Sequence, residues 1–456
     1  MKKTPLEKWI KGKLSLPDGG MLTRDLITSY QLEKLQKTVS YARRESPFYR
    51  EMLGGFADNA IDNLDAFAAL PFTTAGDVRE QGLRMLCTSQ DEIERVVTLQ
   101  TSGTSGAAKR LFFTAEDLEL TVDFFRHGMM TMVESGDTVI VFLPGELPGS
   151  VGNLLSRALG SFGVKSVIWG PVRDLAAARS EILRHDAPCL VGIPTQILAL
   201  ARGEGADVIP RGWVKTVLLS TDYVPTAISD ELKRLWGCRV FAHYGMTETG
   251  LGGGVECEAR DGYHLREADL FTEIIDPDNG RLLPDGEIGE VVFTTLTRRG
   301  MPLIRYRTGD LARIIAEPCP CGTVLKRLGR VTGRIDSKLK IQGTAVGMAD
   351  LDEILFPVAG LLNFTAEVTE HAGQHQLNLC LQVCEGQGER IIGDVAAALL
   401  HSKRLAPLFR KGVLAVGSMT FSAAGWFTTG TGKRQIVTAV SGRPLVDTFI
   451  ARNPNE

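Results

Sequence analysis

An α/β fold follows from three features of this sequence. Strand-like and helix-like segments alternate between Asp137 and Val217, short strands separated by turn residues follow Val255, and a further unit runs from Gly343 to the end of the chain. Alternation of this kind predicts a largely parallel sheet, whereas closely spaced short strands predict antiparallel structure. The expected architecture is a large N-terminal domain, 1–335, with parallel α/β subdomains plus a β-rich subdomain. A small α+β C-terminal domain, 336–456, completes it.

Each element has its own signal. Tyr30 to Leu53 carries Leu32, Leu35 and Val39 at helical spacing, interrupted at Pro47, whose ring and missing N–H break a helix. Thr138 to Phe142 reads as a strand, Asn153 to Leu159 as a helix, Val164 to Trp169 as a strand and Leu175 to His185 as a helix. Cys189 to Ile193 and Val214 to Leu219 complete the alternating series. Glu273 to Asp276, Gly289 to Leu296 and Asp310 to Ala316 are the expected short strands. A segment rich in Gly and charge, Gly329 to Gly343, places the domain boundary near Ile335.

A chain of 456 residues, 44% hydrophobic, buries a large core without needing cross-links. Its formal net charge of -3 offers no global attraction to nucleic acid or to an anionic membrane, so neither is an expected partner. Met1 to Ile27 lacks the apolar core of a secretory signal, and no stretch approaches the roughly 20 apolar residues of a membrane span. Eight sparse cysteines suit a reducing, cytoplasmic setting.

The most chemical segment is a loop. Thr101, Ser102, Gly103, Thr104, Ser105 and Gly106 are followed by Lys109. Glycines let consecutive backbone N–H groups turn toward an anion, hydroxyls add donors, and the lysine adds charge. A flexible surface linker has the same composition. The P-loop of nucleotide triphosphatases is excluded, because Lys109 comes three residues after Gly106 and precedes Arg110 rather than Ser or Thr.

Four further motifs follow in order: Tyr244-Gly-Met-Thr-Glu248, Tyr306-Arg-Thr-Gly-Asp310, Gly333-Arg-Ile-Asp336 and Gly430-Thr-Gly-Lys433. With the loop they resemble the adenylate-forming superfamily of acyl-CoA synthetases, peptide-synthetase adenylation domains and luciferases. Ser46-Pro-Phe-Tyr-Arg50, Leu70-Pro-Phe-Thr-Thr74 and Cys319-Pro-Cys-Gly322 are similar to the phenylacetate–CoA ligase branch. The resemblance implies that ATP activates a carboxylic acid, aryl or arylacetic, as an acyl-adenylate. Pyrophosphate leaves, and the acyl group then passes to coenzyme A.

The same resemblance assigns roles. Thr101 to Lys109 would hold the outer phosphates, Thr247 the α-phosphate and Glu248 a Mg²⁺ ion. Tyr244 would lie beside the adenine and acyl pocket, Asp310 would accept from the ribose hydroxyls, and Arg334 would contact the nucleotide. Ser220 and Asp222 stand where the family has a Gly-rich stretch beside adenine. Lys433 would be the catalytic lysine of a mobile C-terminal domain, with Asp336 as its hinge. A carrier-protein thiol, or AMP transfer to another acceptor as in relatives that adenylylate a deazaflavin cofactor, stays open beside coenzyme A. So does a homodimeric assembly. A binding protein on a decayed ligase scaffold is disfavoured by the retained Lys433, Glu248, Asp310 and hydroxyl loop.

Cys257, His264, Cys319 and Cys321 form a second group. Three thiolates and an imidazole suit a closed tetrahedral zinc site, which is structural because no position is left open. Reduced core thiols and an ordinary histidine are the other reading. Cys87, Cys189, Cys238, Cys380 and Cys384 show no comparable grouping. Val141 to Gly152 is expected near the acyl pocket, with Glu146 either solvated or reading a polar substituent, and His243 either lining the pocket or simply packed.

Overall fold

Thr138–Phe142 forms the predicted strand, and Val139, Ile140, Val141 and Phe142 are all fully buried. A strand buried on both faces needs cover on both, which is the setting of parallel sheets. Its parallel partner is Lys165–Ile168, in the register Thr138↔Lys165, and the helix Val151–Gly160 makes the crossover. The computed structural model describes residues 1–17, 19–57, 61–99, 108–335, 338–371, 374–384, 386–422 and 434–439.

These residues group into two compact units. The first joins Met1–Ile168 to Phe241–Thr332. Its N-terminal helix Arg24–Glu45 is capped by the Thr23 hydroxyl, and Pro47 starts the next helix, Pro47–Met52, behind the Ser46 cap. Pro is tolerated at a helix start because that N–H has no intrahelical acceptor. The strands Ile93–Leu99 and Lys109–Thr114 pair antiparallel from Leu99↔Lys109 onward, so the two ends of the hydroxyl loop are held side by side. Three antiparallel strands, Leu270–Ile275, Gly289–Thr295 and Tyr306–Ala312, make the β-rich part. Short strands Gly254–Glu256, Tyr263–Leu265 and Arg327–Leu328 run antiparallel beside the end of Arg239–Tyr244.

One boundary moves in a way that matters. The strand expected at Asp310 to Ala316 runs from Tyr306 to Ala312 instead. The whole Tyr-Arg-Thr-Gly-Asp motif is therefore strand, not the turn before it. Gly309 hides this in the sequence. It sits at φ +75°, where Val291 faces a bulge of Thr308, Gly309 and Asp310 between the registers Glu290↔Leu311 and Val292↔Arg307. The bulge is closed by Gly309 N–H donating to Glu290 Oε1 (3.0 Å) and Thr308 Oγ1 donating to the Val291 carbonyl (2.7 Å). Bulges re-aim side chains and are enriched next to functional sites.

The second unit joins Trp169–Val240 to Gly333–Glu456. Cys189–Gly192 and Thr216–Leu219 pair in parallel, with Cys189↔Thr216. The helix Pro194–Arg202 follows the first of them, with every residue from Pro194 to Ala201 buried. A four-stranded sheet runs in the order Leu414–Phe421, Gln374–Val383, Leu361–His371, Ile436–Ala439; its central pair is antiparallel and its outer pairs parallel. Helices Met348–Leu355 and Gly388–His401 accompany it. Arg202 ties the Pro194–Arg202 helix to this part by donating to the carbonyls of Phe356, Val358 and Leu361 at 3.2, 3.1 and 2.9 Å.

Among the described residues, no helix is long and apolar enough to cross a membrane.

Candidate active site and metal centre

The site is built where the strand Arg239–Tyr244 ends. Gly245 is required there, since a Cβ on it would lie 2.5 Å from the Leu251 carbonyl oxygen and 2.7 Å from the His243 ring. The chain then makes one short turn, Thr247–Thr249, in which Thr249 Oγ1 accepts from Met246 N–H and donates to the Met246 carbonyl. This turn carries Glu248 into the interior at 5% exposure, so it is not a solvated loop carboxylate.

Glu248 has two partners from different strands. Lys109, the first residue of its strand, forms an ion pair with Glu248 Oε1. Tyr306, the first residue of its own, donates its hydroxyl to the same oxygen at 3.1 Å. Burial by itself raises the Glu248 carboxyl pKa, but the Lys109 ammonium outweighs it, with help from a backbone N–H and the Tyr306 hydroxyl. The group is therefore held below its ordinary range and is ionised. Tyr306 has no role in the sequence beyond its place in the motif; its hydrogen bond shows that it reaches Glu248.

The bulge itself supplies the second contact. Tyr244 donates its hydroxyl to Asp310 Oδ2 at 3.2 Å, and both residues are buried. The structure thus brings Lys109, Glu248, Tyr306, Tyr244 and Asp310 together within the first unit. Thr247 lies in the connecting turn, its carbonyl accepting from Gly250 N–H at 3.0 Å. Ser220, Asp222 and Arg334 belong to the second unit. Thr101, Ser102, Gly103, Thr104, Ser105, Gly106, Asp336 and Lys433 lie outside the described residues.

The stretch Ser220-Thr221-Asp222 holds an unexpected backbone. Thr221 adopts φ +76°, a left-handed conformation that is an outlier for a β-branched residue. Strain of this kind concentrates at functional sites. Thr221→Gly is expected to raise stability by roughly 0.5–1 kcal/mol, the strain relieved minus the added chain entropy. Thermal unfolding checks this; a fall in melting temperature would show that the threonine side chain contributes more than its backbone costs. Glu146 is exposed, in line with a solvated carboxylate. His243 packs against the rings of Phe124 and Phe125, with centroids 6.3 and 6.2 Å away, and burial lowers its pKa to about 4, so it is neutral.

A second constellation lies in the same unit. Cys257, His264, Cys319 and Cys321 are all buried, and their ligand atoms lie within 4.8 Å of one another. Cys257 Sγ is 3.6 Å from Cys319 Sγ, and Cys321 Sγ is 3.5 Å from His264 Nε2. Zinc–sulfur bonds near 2.3 Å in a tetrahedron imply sulfur–sulfur edges of about 3.8 Å, so the donor set fits that ion. Antiparallel pairing of Arg327 with His264 holds the Cys319-Pro-Cys-Gly322 turn over the strand bearing the imidazole. Burial raises the Cys321 thiol, but hydrogen bonds from His264 and from the backbone of Thr323 and Thr4 prevail and bring it to about 6. The Cys257 thiol is pushed up to about 12 by burial. One thiolate is thus ready near neutral pH, and a bound metal must displace the remaining protons.

An α/β scaffold with a paired-strand hydroxyl loop, a buried carboxylate beside a lysine, and a Tyr–Asp contact on a bulged strand defines an adenylate-forming enzyme. Residues 61–296 match the family described as AMP-binding enzyme. That span is just over half of the chain, and the chain belongs to this family. It is similar to the phenylacetate–coenzyme A ligase of Thermus thermophilus, 29% identical over 357 residues that cover 75% of this chain and 78% of that protein. The Pseudomonas putida phenylacetate–coenzyme A ligase is 27% identical over 399 residues, covering 82% and 87%. Among solved structures, 2-hydroxyisobutyryl-CoA ligase in the postadenylation state superimposes with a TM-score of 0.75 at 22% identity, over 90% of this chain and 89% of that one. An anthranilate CoA ligase in complex with anthranoyl-AMP gives 0.54 at 16% identity, over 74% and 65%. The structural likenesses establish the fold.

Proposed function

We propose that this enzyme uses ATP to activate a carboxylic acid, aryl or arylacetic, and transfers the acyl group to coenzyme A. In the first step a carboxylate oxygen attacks the α-phosphorus, the bond to the β-phosphate oxygen breaks, and pyrophosphate leaves. In the second, the thiol sulfur attacks the acyl carbon and loses its proton, and AMP leaves with the electrons of the carbon–oxygen bond. Support comes from family membership and from phenylacetate–coenzyme A ligases aligned over most of their length.

The observation that carries this reading is the buried Lys109–Glu248–Tyr306 cluster. Two anions must meet in the first step, so cations have to be placed where charge builds up. Glu248 would hold Mg²⁺, a hard cation suited to a carboxylate oxygen, and that ion would offset phosphate charge. Lys109 would then exchange Glu248 for the outer phosphates together with Thr101 to Gly106. Before nucleotide binds, each group neutralises the other; afterwards each neutralises a ligand. Thr247 would contact the α-phosphate and Asp310 the ribose. Ser220, Asp222 and Arg334 would contact the nucleotide.

Residues 336–456 would form the mobile C-terminal domain, turning at Asp336 and delivering Lys433 for the first step. The cysteine cluster would hold a structural Zn²⁺. The setting would be the cytoplasm.

The test is acid-dependent ATP–pyrophosphate exchange over a panel of aryl, arylacetic and short aliphatic acids. Coenzyme A, a carrier protein and no thiol are then compared as acceptors. Exchange with an arylacetic acid and thioester formation with coenzyme A are expected. Exchange with no acid in the panel would sink the reading, and transfer only to a carrier protein or to a non-thiol acceptor would replace its second half.

A further inference from the structure

We infer that Arg298 is a second phosphate-binding cation of the active site, held without an ion pair until an oxyanion of the nucleotide's outer phosphates, or of the pyrophosphate that leaves, binds against it. This rests on the reading of Lys109 and Glu248 as the residues that hold phosphate and Mg²⁺. Arg298 is 7% exposed, and its Nη1 is buried with no hydrogen-bond partner. Its guanidinium lies 4.9 Å from the centroid of the Phe113 ring, in the strand that begins at Lys109. On another side is the turn that carries Glu248. A Cβ on Gly250 would lie 3.2 Å from Arg298 Nη2, so the bare backbone of that turn lies against the guanidinium. All of these residues belong to the first unit.

The placement is fixed, and the charge is unused. Both chain neighbours are pinned: Thr297 Oγ1 donates to Asp269 Oδ1 at 2.9 Å, and Arg299 N–H donates to Asp117 Oδ1 at 2.8 Å. The carboxylates within electrostatic reach are engaged elsewhere. Asp117 Oδ2 accepts from the N–H groups of Thr114 and Gly300, and Glu248 Oε1 takes Lys109 and Tyr306. Arg266, a like charge nearby, is paired with Asp269. Burial pulls the Arg298 pKa down to about 10 against the attraction of Asp117 and Glu248, so the group is still a cation at neutral pH. A buried charge without a direct partner destabilises a resting protein, and the face of an aromatic ring offsets only part of that. A bound anion removes the deficit, because guanidinium–phosphate hydrogen bonds are charge-assisted and strengthen where water is excluded. Phosphate fits better than the acid's carboxylate, since the two elements against Arg298 are those that bear Lys109 and Glu248.

Arg298→Met removes the charge and keeps an unbranched stem on the Phe113 ring. Calorimetric titration of the full chain with pyrophosphate and Mg²⁺ is expected to show binding weakened about 10- to 100-fold, the range for losing a hydrogen bond to a charged group. AMP, which lacks the outer phosphates, should bind within about twofold of the parent. Without ligand, Arg298→Met should unfold at the parental temperature or above it, because it no longer buries an unpaired charge; an arginine kept for structure would give a lower one. Arg298→Lys keeps the charge and should bind pyrophosphate more tightly than Arg298→Met; equal binding by the two would overturn the role of the charge. Parental pyrophosphate affinity in Arg298→Met, an equal loss for pyrophosphate and AMP, or a lower melting temperature or failure to fold without ligand would each overturn the inference. A weakening confined to the KM for the acid would overturn it too and give the guanidinium to the carboxylate. Lys109→Met runs in parallel. If it also binds pyrophosphate as the parent does, the reading of the site itself fails; if it alone loses binding, the role of Arg298 alone fails.

Discussion

Glu248→Gln is expected to slow acid-dependent pyrophosphate exchange by on the order of 100- to 1000-fold, the usual cost of removing one preorganised electrostatic group. The substitution keeps an oxygen able to accept from Tyr306 and nearly the same volume. It removes the negative charge that would hold Mg²⁺, and it leaves Lys109, only 14% exposed at its side chain, without its counter-ion. Stability should fall as well, because removing one partner of a buried pair strands the other. Lys109→Met combined with Glu248→Gln separates the two effects: it should restore stability and leave exchange lost. A Glu248→Gln enzyme with parental exchange and an unaltered Mg²⁺ dependence would end the assignment. The carboxyl's depressed pKa also has a sign. The pair stabilises the fold above the ordinary Glu value near 4.5, and that contribution disappears only as pH falls through the lower folded-state value. Inactivation between pH 5 and 6 would therefore have to come from another group.

Purified enzyme should carry close to one zinc per chain, and Cys319→Ala with Cys321→Ala should abolish it. Metal binding to such a cluster contributes on the order of 10 kcal/mol to folding at neutral pH, so a large drop in melting temperature should accompany the loss. Chelation of the parent enzyme should reproduce the drop, and added zinc should reverse it. Substoichiometric zinc unchanged by both substitutions would show that the cluster is a set of packed thiols. Exchange activity per folded molecule should be nearly unaffected at low temperature, because four protein ligands leave no position for a substrate.

The fold was readable wherever apolar runs are fully buried or regularly spaced. Thr138–Phe142 appears at its expected limits because four consecutive zero-exposure residues leave no competing period. The motif strand Tyr306–Ala312 begins earlier than its sequence suggests, because Gly309 looks like a turn residue and is a bulge glycine inside a strand. The grouping of Cys257, His264, Cys319 and Cys321 is legible from four residues, and the structure brings their ligand atoms within 4.8 Å of one another. What the sequence could not show was pairing across distance. The contact of Tyr306 with Glu248 joins residues 58 apart, and the Asp352–Arg434 ion pair joins residues 82 apart. Neither has a local pattern. Thr221 was invisible for another reason: no residue preference predicts a β-branched side chain at positive φ.

The pairing of Leu99 with Lys109 makes the active site sensitive to an error that leaves every motif residue intact. Side chains alternate faces along a strand, so a slip of one position would turn Lys109 away from Glu248. A single-residue deletion within Ile93–Leu99 would invite that slip, whereas an insertion between the two strands would lengthen the connection and leave the pairing alone. The strand pairing, and with it the Lys109–Glu248 contact, should therefore survive an insertion in the loop and be lost on a deletion in the plain strand before it. Matching motifs letter by letter would miss this, because the deleted residue belongs to none of them.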